Sequence, residues 1–243
     1  MRYLVLADIH ANLQALDAVL ADAGRQGYDR VLTLGDLVGY GGDPAAAIDR
    51  TLALEPAAIV RGNHDKVCAG LDSAESFHEI ARAAIEWTAA TLSAAHLAAL
   101  AGLPRGPRLV TDALEICHGA PFDEDYYVFD SDDAHMALDA ASARICLFGH
   151  THVTSIFTRP DDPAREGPSD AEYRLPAVGP SLINVGSVGQ PRDGDPRAAY
   201  GLLDVDALAL KLCRVEYDIA GAQASIRRAH LPEWLAERLG RGR

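Results

Sequence analysis

Apolar positions in the first 65 residues switch between two periodicities. Tyr3 to Ala7 form a short continuous apolar run, the pattern of a strand covered on both faces. Beyond Asp8-Ile9-His10, Leu13, Leu16, Val19 and Leu20 recur at helical spacing behind Asn12, a good capping residue, and Gly24 and Gly27 close the segment. Arg30 to Leu34 again reads as a strand, running into Gly35-Asp36. Asp43-Pro44 opens a second helix in the favoured N-cap and N1-proline order. Ala57 to Val60 predicts a third strand, ending in Arg61-Gly-Asn-His-Asp65. The order is β-α-β-α-β, with each strand emptying into a polar, glycine-containing loop. Such an order gathers ligands at the carboxyl edge of a sheet in an α/β fold.

Residues 72–101 are alanine-rich without internal Pro or Gly and predict one or two long helices, with Asp72 and Glu75 as a capping-box-like start. Ala113 to Cys117 and Arg144 to Phe148 predict core strands, each followed by a histidine-containing turn. From 153 onward β-branched and apolar runs dominate (153–158, 182–185, 198–205, 210–216), which predicts a second sheet. Residues 159–171 hold Pro160, Pro163 and Pro168 among acids and predict a mobile hairpin tip. Asp218 caps a last helical segment over 218–239. No internal repeat interrupts the chain, and 1–243 is expected to form a single domain.

Composition narrows the function classes. With 49% hydrophobic and 23% charged residues there is material for a sizeable core, which excludes disorder of the whole chain. Lys and Arg number 22 against 35 Asp and Glu, a net charge of −13, so duplex nucleic acid is not an expected partner. No run approaches the ~18–20 apolar residues that span a bilayer, so no membrane partner is expected either. The opening MRYLVLADIH carries Asp8 and no small-residue cleavage site, unlike a secretory signal. Cys68, Cys117, Cys146 and Cys213 are widely spaced, which predicts a reduced, cytoplasmic protein.

Five of the nine histidines, His10, His64, His118, His150 and His152, stand at strand ends beside Gly, Asp or Asn. A fold that aligns those strands brings them to one edge. Asp8, Asp36, His10, His118, His150, His152 and Asn63 then offer two carboxylates, four imidazoles and an amide oxygen. Mixed N/O donors without thiolate suit Mn, Fe, Zn, Co or Ni better than Ca or Mg. Seven donors exceed the need of one tetrahedral ion and fit two divalent ions ~3.5–4 Å apart, with one carboxylate bridging. His64 remains as a candidate general acid, with Asp65 beside it to orient its ring.

These blocks resemble the signature of the calcineurin-like metallophosphoesterase superfamily, D-x-H, G-D, G-N-H-[D/E], H and G-H-x-H, in order over positions 8 to 152. Asn184-Val-Gly-Ser-Val-Gly189 is similar to the N-P-G-S-x-G stretch of its smaller bacterial and archaeal phosphodiesterase branch, with Val185 in place of Pro. The resemblance implies a four-layer αββα sandwich with two mixed β-sheets. It further implies that Asp8, His10 and His152 hold one metal and Asn63, His118 and His150 the other. Asp36 would bridge, and His64 would protonate the leaving oxygen or steady the phosphoryl group. The second block, Gly35-Asp-Leu-Val-Gly-Tyr-Gly41, lacks the Asp-Arg pair of the protein Ser/Thr phosphatases, and the third ends in Asp65 rather than Glu.

Plainer readings stand beside these. Cys117 in a strand is a small buried hydrophobe, and His78, His96, His135 and His230 suit surface or capping roles. Arg192 and Arg197 lie in a loop where Arg could grip phosphate bidentately or simply pair with interleaved acids. Arg192 is the favoured substrate contact, being nearer the Gly-Ser-Val-Gly turn. The expected activity is metal-dependent hydrolysis of phosphate mono- or diesters of small, nucleotide-like substrates. The competing readings are a nuclease and a phosphoesterase fold reused as a binding module, whose mark, loss of ligands, is absent from the motif set.

Overall fold

The structure, a computed structural model, describes residues 1–158, 165–166 by their strand pairing, and 170–243. The hairpin tip expected near 159–171 lies almost wholly outside the described residues. In chain order the N-terminal part contains β1 (Arg2–Leu6), α1 (Leu13–Gln26), β2 (Arg30–Thr33), α2 (Pro44–Leu52), β3 (Ala58–Ile59) and α3 (Asn63–Cys68). Next come α4 (Glu79–Thr91), α5 (Ala94–Ala101), β4 (Arg108–Thr111), β5 (Leu114–Ile116), α6 (Ser131–Ala140) and β6 (Ile145–Phe148). The remainder is β7 (Ser155–Phe157), β8 (Arg165–Glu166), β9 (Glu172–Arg174), β10 (Ser181–Asn184), β11 (Ala198–Asp204), β12 (Ala209–Val215), α7 (Ile219–Arg228) and α8 (Glu233–Leu239).

Two mixed six-stranded sheets result, in the orders β3-β2-β1-β11-β12-β9 and β4-β5-β6-β10-β7-β8. Period-two alternation sorts β1: Tyr3 and Val5 point into the core between the sheets, with Leu114, Ile145 and Ile183 of the second sheet. Leu4 and Leu6 point the other way, onto Leu16, Val19 and Leu20 of α1. On the far side, Cys146, Phe148 and Leu182 pack against Ala134 and Ala137 of α6. Four layers, αββα, follow from these three cores. No helix among the described residues is long and apolar enough to cross a membrane.

Several expectations need correction. Gly24 lies inside α1, and only Gly27, at φ 78°, closes it. The capping box at Asp72 and Glu75 does not form. Asp72 accepts from the Ser73 N–H, and α4 starts only after His78. The strands after 153 do not build a sheet of their own. β11 and β12 join the N-terminal strands, because β11 runs antiparallel beside β1, whereas β7 and β10 extend the sheet of β5 and β6. The last helical segment breaks at Pro232, which cannot donate to the helix ladder, into α7 and α8.

Candidate metal centre

β1, β2 and β3 run parallel in one sheet, β5, β6 and β10 in the other, so their carboxyl ends meet at one edge. Cross-sheet bonds fix that meeting. The His118 ring donates through Nδ1 to the Leu34 carbonyl at 2.8 Å, and the His150 N–H donates to Asp8 Oδ1 at 3.1 Å. Asn184 donates to the Gly149 carbonyl at 2.7 Å and so holds the Gly-His-Thr-His turn, which is what the Asn184–Gly189 block does locally.

Five of the seven expected donors adopt the left-handed backbone region: Asp8 (φ 53°), His10 (49°), Asp36 (53°), His150 (68°) and His152 (60°). Each such non-glycine residue costs on the order of 1–3 kcal/mol, and strain of this kind collects where side chains must be aimed. The chain bends sharply after each strand and throws its donors inward. Gly62 answers a steric demand at the same spot, since a Cβ there would collide with Asp36 Oδ1.

The donors fall into two groups that share one carboxylate. Asp8, His10, Asp36 and His152 offer atoms within 4.8 Å of one another, and so do Asp36, His118 and His150. Asn63 joins the second group, its Oδ1 lying 3.2 Å from His118 Nε2. Backbone carbonyls set the tautomers. His10 Nδ1 faces the Val38 carbonyl at 3.0 Å and His152 Nδ1 faces that of Gln190 at 2.7 Å, so each carries its proton there and turns a bare Nε2 inward. Those two Nε2 atoms stand 3.0 Å apart. Two unprotonated imidazole nitrogens repel at that distance unless a cation sits against both. His150 is reversed: its Nε2 faces the Asp125 carbonyl at 3.1 Å, which leaves Nδ1 as the inward donor.

The electrostatics call for positive charge as well. Asp8 and Asp36 are fully buried, and Asp8 Oδ2 has no hydrogen-bond partner. Burial, with the charge of Asp36, pushes the Asp8 carboxyl up to about 7. Burial also holds His10, His150 and His152 neutral. His118 goes the other way. Although burial opposes it, Asp36 beside it raises its pKa to about 10. Buried carboxylates, neutral imidazoles and an orphaned oxygen are what divalent transition metals need, so the donor set fits such ions.

His64 stands at the second position of α3, between the Tyr40 and Phe77 rings at 4.4 and 5.0 Å. Its expected partnership with Asp65 is not found. Asp65 accepts from the N–H groups of Leu37 and Val38 (2.8 and 3.3 Å) through one oxygen and from Gly62 (2.9 Å) through the other. It pins the second block to the third, while His64 Nδ1 has no partner. Nor is His64 an imidazolium, because burial pulls its pKa down to about 4. A buried neutral ring can still donate one N–H to an oxygen placed before it.

A cleft of about 560 Å³ opens on Asn63, His64 and His150 and is walled by Tyr40, Phe77, Tyr127, Trp234, Arg192 and Arg238. Arg192 lines this cleft, while Arg197 does not and is tied to Asp195 and Asp170. The aromatic walls and Arg238 escaped sequence reasoning. Tyr40 alone had a signal, its place inside the Gly39-Tyr-Gly-Gly42 turn. Behind the cleft, Arg61 grips Glu124 through Nε (3.0 Å) and Nη2 (2.8 Å), clamping the third block to the loop after His118. His78 and His96 take capping and surface positions as expected, and Cys117 is fully buried.

Comparison with known proteins places this geometry. The sequence model of the calcineurin-like phosphoesterase superfamily domain matches residues 1–208. An uncharacterized protein of Methanocaldococcus jannaschii is 33% identical, with 98% of this chain and 97% of that protein covered. The crystal structure of a metallophosphoesterase from Sphaerobacter thermophilus superposes with a TM-score of 0.90 at 39% identity, over 100% of this chain and 99% of that one. A hypothetical protein from Pyrococcus horikoshii shares the fold at a TM-score of 0.80 and 20% identity, over 100% and 98% of the two chains.

Proposed function

This chain belongs to the calcineurin-like phosphoesterase superfamily and is a metal-dependent phosphoesterase, and from that premise we propose a dinuclear hydrolase of small phosphate mono- or diesters, nucleotide-like ones included. The observation that supports it best is the double membership of Asp36, whose carboxylate belongs to both donor groups. Asp8, His10 and His152 would hold one divalent ion, and Asn63, His118 and His150 the other. Mn, Fe, Zn, Ni and Co all suit the donors. When bound, such a pair supplies Lewis acidity to the phosphoryl oxygens and a water acidified toward neutral pH.

The chain's own residues do the rest. Nδ1–H bonds to main-chain carbonyls keep His10, His118 and His152 in the tautomer that presents Nε2. Arg61 and Glu124 hold the Asn63-His64 turn against the His118 loop. His64 faces the cleft and would donate its N–H to the leaving oxygen, while Arg192 lines the same cleft and would bind an anionic group of the substrate. Residues 1–243 act as one domain in this reading, and four free cysteines support a cytoplasmic setting. The test is hydrolysis of p-nitrophenyl phosphate and bis(p-nitrophenyl) phosphate by chelator-stripped protein reloaded with each ion. Turnover that returns with a transition metal supports the reading, and none with any of them refutes it.

A further inference from the structure

The cations of the cleft are not used alike. Lys66 faces Asp72 at 3.1 Å and Glu124 at 3.5 Å and also pairs with Asp125, so its charge is consumed inside the fold. Arg192 and Arg238 line the same cleft, and neither makes an ion pair with a carboxylate side chain among the described residues. Arg192 gives Nη2 to Gln190 Oε1 at 3.0 Å, packs over the Tyr40 ring at 5.7 Å, and keeps a buried Nε without any partner. Arg238 gives its Nε to the main-chain oxygen of Arg243. The cleft thus holds two guanidiniums from different segments with no Asp or Glu side chain paired to them among the described residues. Burial and the Arg192 charge pull the Arg238 pKa down to about 10, which leaves Arg238 charged at neutral pH and repelled by Arg192. Like charges held together over a cleft are the mark of a seat for an opposite charge.

The two come from different parts of the chain. Arg192 follows the Gly-Ser-Val-Gly turn, and its N–H is bonded to the His152 carbonyl at 3.2 Å, which ties it to the first donor group. Arg238 belongs to α8, which lies beyond the residues 1–208 that match the family. α8 is anchored by Leu235, Ala236 and Leu239 against α7 and α4, so its cleft side is held rather than loose. Trp234, from the same helix, completes that wall.

We propose that Arg192 and Arg238 form a seat for a second phosphate of the substrate, and that α8 is thereby a specificity element added to the family's core. The proposal rests on the hydrolytic reading above and extends it. The preferred substrate is then an ester that carries a phosphate besides the one cleaved, rather than a simple mono- or diester. Two guanidiniums match a phosphate dianion, whereas a single carboxylate would leave one charge unanswered.

Calorimetric titration separates the two ideas. Ethane-, propane- and butane-bisphosphonate are compared with propylphosphonate on the metal-loaded protein. Wild type should bind at least one bisphosphonate tenfold or more tighter, and the best linker reads the spacing from the metal centre to the seat. Arg238→Gln should collapse that ratio toward one, and Arg238→Lys, which keeps the charge but not the fork, should leave an intermediate value. Arg192→Gln, on another segment, should give the same collapse, which a local defect in α8 would not. A wild-type ratio of one, or a ratio unchanged in Arg238→Gln, overturns the seat. Hydrolysis of bis(p-nitrophenyl) phosphate by the same preparation checks the underlying reading. Turnover with an unchanged ratio sinks the seat alone. A collapsing ratio without turnover refutes the hydrolytic reading and leaves the anion seat standing.

Discussion

Asp36 accepts the backbone N–H of His64 through Oδ1 at 2.9 Å, while its Oδ2 lies 3.4 Å from His10 Nε2 and 3.5 Å from His118 Nε2. One carboxylate thus fixes the turn that carries the candidate acid and faces both donor groups. Asp36→Asn keeps an oxygen for the His64 N–H but loses the charge. It should lower occupancy of both ions together and reduce turnover by about a hundredfold or more, since lesser changes around a metal ligand already cost 10–100-fold. Elemental analysis beside kcat/KM checks this, and full occupancy with full activity would contradict the shared role.

Gly62→Ala tests the same carboxylate from behind. The new Cβ would overlap Asp36 Oδ1, and Gly35 stands against the Gly62 backbone so closely that its own Cβ would meet the Gly62 nitrogen at 2.6 Å. The two loops are in direct contact there. Overpacking of this kind costs about 1–3 kcal/mol, or several degrees in Tm for a chain of this size. Metal affinity should fall with it. A variant that melts and binds metal like wild type would show that the two loops give way.

His64→Ala should keep both ions and lose turnover according to the leaving group. A positioned proton donor is worth ~10²–10⁴-fold, and less when the departing oxygen needs no proton. The loss should therefore be large on nucleoside or alkyl esters and small on p-nitrophenyl esters. Equal loss on both would make the ring a stabiliser of phosphoryl charge, and loss of an ion would make it a ligand.

Asp65→Asn separates bracing from catalysis. Its carboxylate accepts three backbone N–H groups, and an amide would turn an NH₂ toward some of them. A buried donor left unmatched costs about 1–3 kcal/mol. The variant should melt lower yet keep the wild-type dependence on leaving group. Should it instead copy the leaving-group pattern of His64→Ala, Asp65 would regain a part in proton transfer.

The donors were legible in the sequence because each stands where an apolar run ends in Gly, Asp or His, and parallel strands must bring such ends together. What escaped was set by distant packing. β4 is mostly exposed, and α6 buries only Ala134 and Ala137, so neither shows strong periodicity. Asp65 beside His64 in sequence suggested a ring partner, but as the third residue of α3 it turns back to the Gly62 N–H. The return of β11 to lie beside β1 depends on pairing Leu4 with Leu202, which no local pattern announces. Arg238 reaches the cleft only because Pro232 breaks the last helical stretch and α8 folds back.

The most direct measurement is metal stoichiometry with position: elemental analysis of reloaded protein, then anomalous diffraction at the absorption edge of the bound ion. Two ions per chain are predicted, one among Asp8, His10, Asp36 and His152 and the other among Asp36, Asn63, His118 and His150. A single ion at saturation, or a pair that does not share Asp36, would contradict the dinuclear centre.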